Sequence, residues 1–356
     1  MVIDQQFWNG KRVFLTGHTG FKGGWLALWL TAMGASVHGY SLEPPTKPNF
    51  FTVTDLQARL ISHTVGDIRD AIALQAAIDI ARPDIVFHLA AQPLVRYSYE
   101  APVDTYTTNV IGTINLLEAI RRCESVKAVL NITTDKCYEN REWVWPYREN
   151  EPLGGYDPYS SSKACSEIVT AAWRRSYFHV QGIHIATARA GNVIGGGDWA
   201  ADRLVPDFLR ALDAEEMLII RSPKAIRPWQ HVLEPLSGYI LLAQALYTQC
   251  GQFAEAWNFG PEEQDARPVG WIADYLCSKI PGAKWQRNTE VQPHEATMLK
   301  LDSSKAKQLL QWSPRLKLEH ALDMTLSWFQ AWKCNEDMGA YSLKQISTYE
   351  QTNYYF

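Results

Sequence analysis

The chain is poor in the features that mark several broad classes of protein. It has no surplus of positive charge, since 34 Lys and Arg face 38 Asp and Glu for a formal net charge of -4. That balance argues against a protein that packages polyanions or rides a membrane on basic charge. No run reaches the roughly 18 uninterrupted apolar residues that a spanning helix needs. The opening residues, MVIDQQFWNGKRVFLTG, lack a basic segment followed by an apolar one, so no secretory leader is expected. The six cysteines (Cys123, Cys137, Cys165, Cys250, Cys277 and Cys334) are far apart and contain no CxxC. This spacing fits reduced thiols in a cytoplasmic protein, with neither a disulfide framework nor a metal site. Internal repeats and low-complexity tracts are also missing.

What is present is a chain of 356 residues, 46% hydrophobic, long enough for one large α/β domain or two ordinary ones. Its tryptophan count is high at 14, and those residues either stack on a ligand or simply fill a core. Short buried-strand patterns at 11–16, 36–40, 84–89, 126–133 and 183–189 alternate with helical stretches at 103–123 and 159–178. That alternation predicts a Rossmann-type, doubly wound parallel sheet. The character changes after Ala190, where loops, prolines and tryptophans increase. We therefore expect a first domain over 1–190 and a smaller, mainly substrate-facing region over 191–356, with segments near 230–260 returning to the first.

Gly17, Gly20 and Gly23 form a GxxGxxG run between the first strand pattern and an apolar helical one. A dinucleotide site needs glycines at such a turn, for the bend, for close backbone approach to a pyrophosphate, and for helix packing. The helix start then offers free amides and the positive end of its dipole. His18, Phe21 and Lys22 share the loop; His18 and Lys22 either help neutralise a pyrophosphate or crowd it. The second strand ends in Tyr40-Ser41-Leu42-Glu43, so an acid for the adenosine ribose is absent or displaced to Glu43. With no basic residue there, NAD is favoured over NADP. Asp67, followed by Ile68, either accepts from the adenine amine or caps the next helix.

Tyr159 and Lys163 lie four residues apart in YSSSK, on one helix face. A nearby ammonium stabilises phenolate, which predicts a tyrosine pKa lowered toward the range useful for taking a proton from an alcohol. Thr134, Asp135 and Lys136 follow a strand, at the edge where open α/β sheets bind ligands. Thr134 suits a substrate hydroxyl. Asp135 acts as an acid if its pKa is raised, and Lys136 as a base if desolvation near Lys163 lowers its own. The bland alternative is a solvated polar turn. His88, in an apolar run, reads as a core histidine.

The segments TGHTGFKGGWL, HLAAQPLVRYSY, TTDKCYEN, YSSSK, RAGNVIGGGDWAADRLVPD and RPWQHVLEPLSGY span nearly the whole chain. Together they resemble the extended short-chain dehydrogenase/reductase superfamily, the NAD-dependent epimerases and dehydratases. Within it they are most similar to the sugar-nucleotide 4,6-dehydratases that act on CDP-glucose. Sister dehydratases for dTDP- and GDP-sugars usually carry Glu where Lys136 stands. The resemblance implies NAD as cofactor and CDP-glucose as substrate, oxidised at C4, stripped of water across C5 and C6, and given hydride back at C6. It assigns Tyr159 to the C4 hydroxyl, Asp135 to the C6 hydroxyl, Lys136 to C5, and Lys163 also to the nicotinamide ribose. It directs Asn192 and Arg203 to the nucleotide diphosphate, Arg227 to phosphates or ribose, and Arg96 and Asn109 to the sugar or cavity wall. Trp199 and Trp229 either wall the base or pack. The product would feed deoxy-sugar synthesis for bacterial surface polysaccharide such as O-antigen. A homodimer through 103–123 and 159–178 is implied, with a tetramer also open. Two other readings stand beside this one, a nucleotide-sugar 4-epimerase and a non-catalytic NAD-sensing regulator.

Overall fold

The computed structural model describes residues 1–288 and 298–352. Its frame is a seven-stranded sheet whose neighbours all pair in parallel. The strands are β1 (Arg12–Thr16), β2 (Ser36–Ser41), β3 (Ser62–Val65), β4 (Ile85–His88), β5 (Ala128–Ile132), β6 (His184–Ala190) and β7 (Ala256–Phe259). Their order across the sheet is β7-β6-β5-β4-β1-β2-β3. The order reverses between β1 and β4, and a crevice opens there at the carboxyl ends of the strands. The apolar runs that read as continuous rather than alternating, β4 and β5 above all, are buried throughout, as a sheet covered on both faces requires.

Five helices frame this sheet, α1 (Phe21–Ala32), α2 (Ala71–Ala81), α3 (Gly112–Arg121), α4 (Pro158–Trp173) and α6 (Leu233–Thr248), while α5 (Leu204–Asp213) stands apart from it. Two more, α7 (Leu318–Lys333) and α8 (Met338–Gln351), follow toward the end of the chain. One face of the sheet packs against α1 and α6, in a core holding Trp8, Trp25, Trp29, Trp257, Trp312 and Trp328. The other face packs against α2 and α3 through Leu74, Ile78, Leu116, Leu117 and Ile120. Most tryptophans whose burial is described are therefore packing residues. Both predicted long helices carry an irregular turn. In the first, Thr107–Ile111 is a π turn ahead of α3; in the second, Arg174–Phe178 is a π turn after α4.

After β6 the chain builds a separate core around α5, α7, Trp229 and Leu276, which forms the far wall of the crevice. It also returns to the sheet: β7 pairs with β6 and α6 packs beneath β5 and β6. The last helix, α8, lies on α1, where Trp29 Nε1 donates to Glu350 at 2.8 Å. No described helix is long and apolar enough to cross a membrane. The described cysteines Cys123, Cys137, Cys165, Cys277 and Cys334 are free thiols.

Candidate active site

The crevice is one continuous cavity of about 790 Å³ that runs from the β1–α1 turn to α5. At its first end the three glycines have distinct reasons to be glycine. Gly17 has φ +80, where side chains are rarely tolerated, and a Cβ there would sit 2.7 Å from the Ala90 amide nitrogen. A Cβ on Gly23 would fall 2.0 Å from the Gly17 carbonyl oxygen, so only glycine lets α1 lie this close to the turn. Gly20 is open, with nothing nearer than 3.4 Å, and it starts α1 with no side-chain cap. The first amides of α1 therefore remain available to an anion. This cradle fits the pyrophosphate of a dinucleotide.

Gly17, Gly20, Phe21, Lys22, Gly23, Asp67 and Ile68 line that end. His18 does not, and the expectation that it lies against the pyrophosphate is corrected. Its ring turns under the turn onto Gly39, where a Cβ would be 2.6 Å away, and Nε2 meets His63 Nδ1 at 2.7 Å. Burial drops its pKa to about 3, so it is neutral there. Asp67 does not cap α2, a role taken by Asp70. Instead Arg69 holds both of its oxygens and holds its pKa below the ordinary value.

At the centre, α4 presents Tyr159 and Lys163 one turn apart, opposite Thr134, Asp135 and Lys136 at the end of β5. Asp157 caps α4 and Pro158 occupies its first turn, which explains why the helix begins just before the tyrosine. The Tyr159 phenol is raised to about 12 by burial, against its hydrogen bond with Thr134; Asp135 raises it further and Arg203 opposes that. The net shift is upward, contrary to expectation, and the Lys163 ammonium donates to the Ile132 carbonyl at 3.0 Å. Burial brings Lys163 itself down to about 8.

Asp135 is buried, and burial pushes its carboxyl up, against the charges of Lys136, Arg227 and Lys22 and the Thr134 hydroxyl. Thr134 donates to Oδ1 at 3.0 Å, while Oδ2 has no hydrogen-bond partner among the described residues. A buried, unmatched carboxyl oxygen is costly unless it meets a ligand or carries a proton. Lys136 lines the same wall.

The far end is rich in arginine. Arg203 pairs with buried Asp198 at 2.8 Å, and buried Arg227 reaches the cavity from the strand Ile226–Pro228. Arg96 lines the mouth and pairs with Asp202 at 2.9 Å, which also holds Arg221 at 3.3 Å. Asn192, Trp199 and Trp229 line this end as well. Asn109 does not, and its placement on the wall is corrected. The π turn buries it behind the wall, where Oδ1 accepts from the Gln92 amide at 2.8 Å and Nδ2 donates to Ser162 Oγ at 2.9 Å. His88 is a core residue between Thr16 and Thr113. Sequence reasoning missed Arg221 and Asp202; Asp202 adjoins Arg203, and Arg221 ends an apolar run with no charged neighbour.

Comparison with known proteins places this geometry. A family model described as GDP-mannose 4,6 dehydratase matches residues 14–325. A CDP-glucose 4,6-dehydratase from Salmonella typhimurium is 55% identical over 354 residues, which is 98% of each chain. A dTDP-glucose 4,6-dehydratase from Escherichia coli is 29% identical over 327 residues, covering 84% of this chain and 87% of that one. Among solved structures, a UDP-glucose 4-epimerase from Thermotoga maritima with UDP-glucose superposes with TM-score 0.77 at 24% identity, covering 91% of this chain and 99% of that one. A dTDP-glucose 4,6-dehydratase from Bacillus anthracis in complex with NAD gives TM-score 0.72 at 20% identity, covering 91% and 99%. At these identities the solved structures speak for the fold.

Proposed function

The chain belongs to the nucleotide-sugar 4,6-dehydratase family of the NAD-dependent epimerase/dehydratase superfamily, and from that premise we propose that it converts CDP-D-glucose to CDP-4-dehydro-6-deoxy-D-glucose and water. The observation that carries this reading is Asp135, a buried acid with one unmatched oxygen that lines the same cavity as the tyrosine–lysine pair. Oxidation and reduction at C4 need only that pair; removal of the C6 hydroxyl needs a proton donor as well. NAD, held by the glycine cradle with Asp67 and Ile68 at its adenosine end and Lys163 at its nicotinamide ribose, would supply the acceptor for the C4 hydride and its return to C6.

The remaining steps fall to side chains. Tyr159 takes the C4 hydroxyl proton, with Thr134 bonded to both that phenol and Asp135. A phenol at about 12 is a poor base on its own. Positive charge brought beside it by ligands would have to lower it, a condition that a buried site makes strong. Lys136 removes the C5 proton, which the C4 ketone has made acidic. Asp135 then gives its proton to the departing C6 hydroxyl, which leaves as water. Its upward-shifted carboxyl is the state this step requires. Arg203, Arg227 and Asn192 hold the substrate diphosphate and ribose, and Arg96 stands at the mouth.

The test is to incubate the enzyme with CDP-glucose and NAD and weigh the sugar nucleotide. Loss of one water is expected. An isomer of unchanged mass would replace this reading by a 4-epimerase, and no conversion of any nucleotide hexose would favour a cofactor-sensing regulator. A homodimer belongs to the same reading. Val103, Ile111 and Ile168 are exposed apolar residues beside α3 and on α4, and sedimentation of the free protein checks it.

A further inference from the structure

Behind the cavity lies a buried ion pair that the reaction above does not use. Tyr159, Lys163 and Glu167 follow one another at four-residue spacing along α4 and so share a face. Tyr159 and Lys163 line the cavity, whereas Glu167 lies one turn deeper. Its side chain is 4% exposed and that of its partner Arg189 is 3% exposed. Arg189 donates from Nε and Nη2 to the two carboxylate oxygens, both at 2.9 Å. Thr187, two residues earlier on β6 and therefore on the same face, donates to Oε2 at 2.6 Å.

Three further bonds leave this pair: Arg189 Nη1 donates to the Glu149 carbonyl at 3.1 Å, and the other two end on either side of the turn that carries Asp135 and Lys136. Upstream, Thr133 donates to Glu167 Oε1 at 2.5 Å. Downstream, Arg189 Nη1 donates to the Tyr138 hydroxyl at 2.7 Å, and that hydroxyl donates to Asn258 at 2.8 Å. The turn Asp135–Cys137 is thus gripped at both ends by one ion pair. Tyr159 and Lys163 are carried by the body of α4, and Lys163 is also held by the Ile132 carbonyl, upstream of both grips.

We propose that Glu167 and Arg189 are positioning residues that fix the Asp135–Lys136 turn for elimination, while C4 oxidation is left to Tyr159 and Lys163, which neither outward bond touches. A buried ion pair contributes little net stability compared with a well-packed apolar pair. What this one adds is direction, because one outward hydrogen bond from each partner ends on a flank of the turn. Acid–base transfer tolerates little misplacement of the acting groups, so loosening either flank should slow elimination selectively.

The inference rests on the dehydratase reading, and its test separates the two. The full-length enzyme, its T133V, Y138F and T187V variants, NAD and CDP-glucose are mixed, quenched at short times and analysed by mass. One species counted is sugar that has lost two hydrogens at C4 but kept its water; the other is sugar that has lost water. T133V and Y138F each remove one grip on the turn. They are expected to form the ketone at the wild-type rate but lose water roughly tenfold more slowly, so the ketone accumulates. T187V removes a bond to the same carboxylate without touching the turn and should keep the wild-type ratio of the two steps. The positioning role is overturned if both steps slow equally in T133V and Y138F, if neither changes, or if T187V reproduces their pattern. Absence of water loss in the wild-type enzyme would instead overturn the reading on which the inference rests.

Discussion

On the reading proposed above, the two ends of the cavity would meet a diphosphate by different means. At the β1–α1 end the work falls to the backbone: a positive φ at Gly17, an open Gly20 and the uncapped start of α1. At the far end it falls to side chains, with Arg203, Arg227, Arg221 and Arg96 gathered on the wall. This division explains how a chain with net charge -4 can hold two polyanionic ligands, since placed amides and a few placed cations replace bulk charge. Lys22 is where the schemes touch. It stands in the glycine loop, yet burial and the charges of Arg203 and Lys163 pull its pKa down to about 8.

The largest effect should come from the acid between the two ends, which belongs to neither. Asp135→Asn removes a proton donor and keeps the shape. Water loss should fall by about 10³-fold while the affinities measured by calorimetry for both NAD and CDP-glucose stay near wild type. A parallel fall in either affinity would mean that Asp135 helps to hold that ligand, and the separation of binding from chemistry would be lost.

Next comes the backbone end. Gly23→Ala places a methyl 2.0 Å from the Gly17 oxygen and must push α1 off the turn. NAD affinity should drop roughly 100-fold, with CDP-glucose affinity little changed. Gly20→Ala, where the space is open, should cost far less. Equal losses at the two glycines would show that the cradle is not built as described.

At the side-chain end, Arg203→Ala strips a cation from the wall and leaves buried Asp198 without its partner. The KM for CDP-glucose should rise about tenfold, with NAD affinity held. The two ends should also part in salt. Substrate binding through Arg203 and Arg96, which are partly exposed, weakens as ionic strength rises, while binding through amides at a helix start falls off less. An identical salt slope for the two ligands in fluorescence titration would break the comparison outright.

The same contrast governs what the sequence discloses. The glycine cradle is legible because strand, turn and helix are adjacent in the chain, and so is the Tyr159–Lys163 pair, one helical turn apart. Five of the seven strands stood out as apolar runs for the same local reason. The arginine wall is not legible from spacing, because Arg96, Arg203, Arg221 and Arg227 meet only after the crevice forms; three of them were singled out only through family resemblance. Arg221 and Asp202 were missed, as was the Glu167–Arg189 pair, although Glu167 continues the four-residue spacing of α4. His18 misled for a related reason. Its place in the loop is local, but its ring direction depends on the space above Gly39 in the neighbouring strand. Asn109 misled because a π turn, invisible in composition, rotates it inward.

The smallest effect on ligand binding lies behind both ends and should move neither. Glu234 on α6 is buried and accepts from the Arg315 and Leu316 amides at 2.8 and 2.6 Å and from the Tyr349 hydroxyl at 2.7 Å, tying α8 to the core. Burial lifts its carboxyl from 4.5 to about 7, although all of these bonds favour the charged form. The folded state therefore holds a proton that the unfolded state releases near pH 4.5. This group's contribution to stability is complete below that value, declines as pH rises toward 7, and is lost above it. The swing should be about 3 kcal/mol, a shift of a few degrees in a chain this long. Glu234→Gln cannot ionise, so its Tm relative to wild type should rise between pH 5 and pH 8 as the wild type bears the growing cost of a buried charge. Scanning calorimetry at both pH values measures that slope, and a difference independent of pH would mean that Glu234 stays charged throughout. Ligand affinities at either end of the cavity should match wild type, because α6 touches the sheet from below and presents no side chain to the crevice.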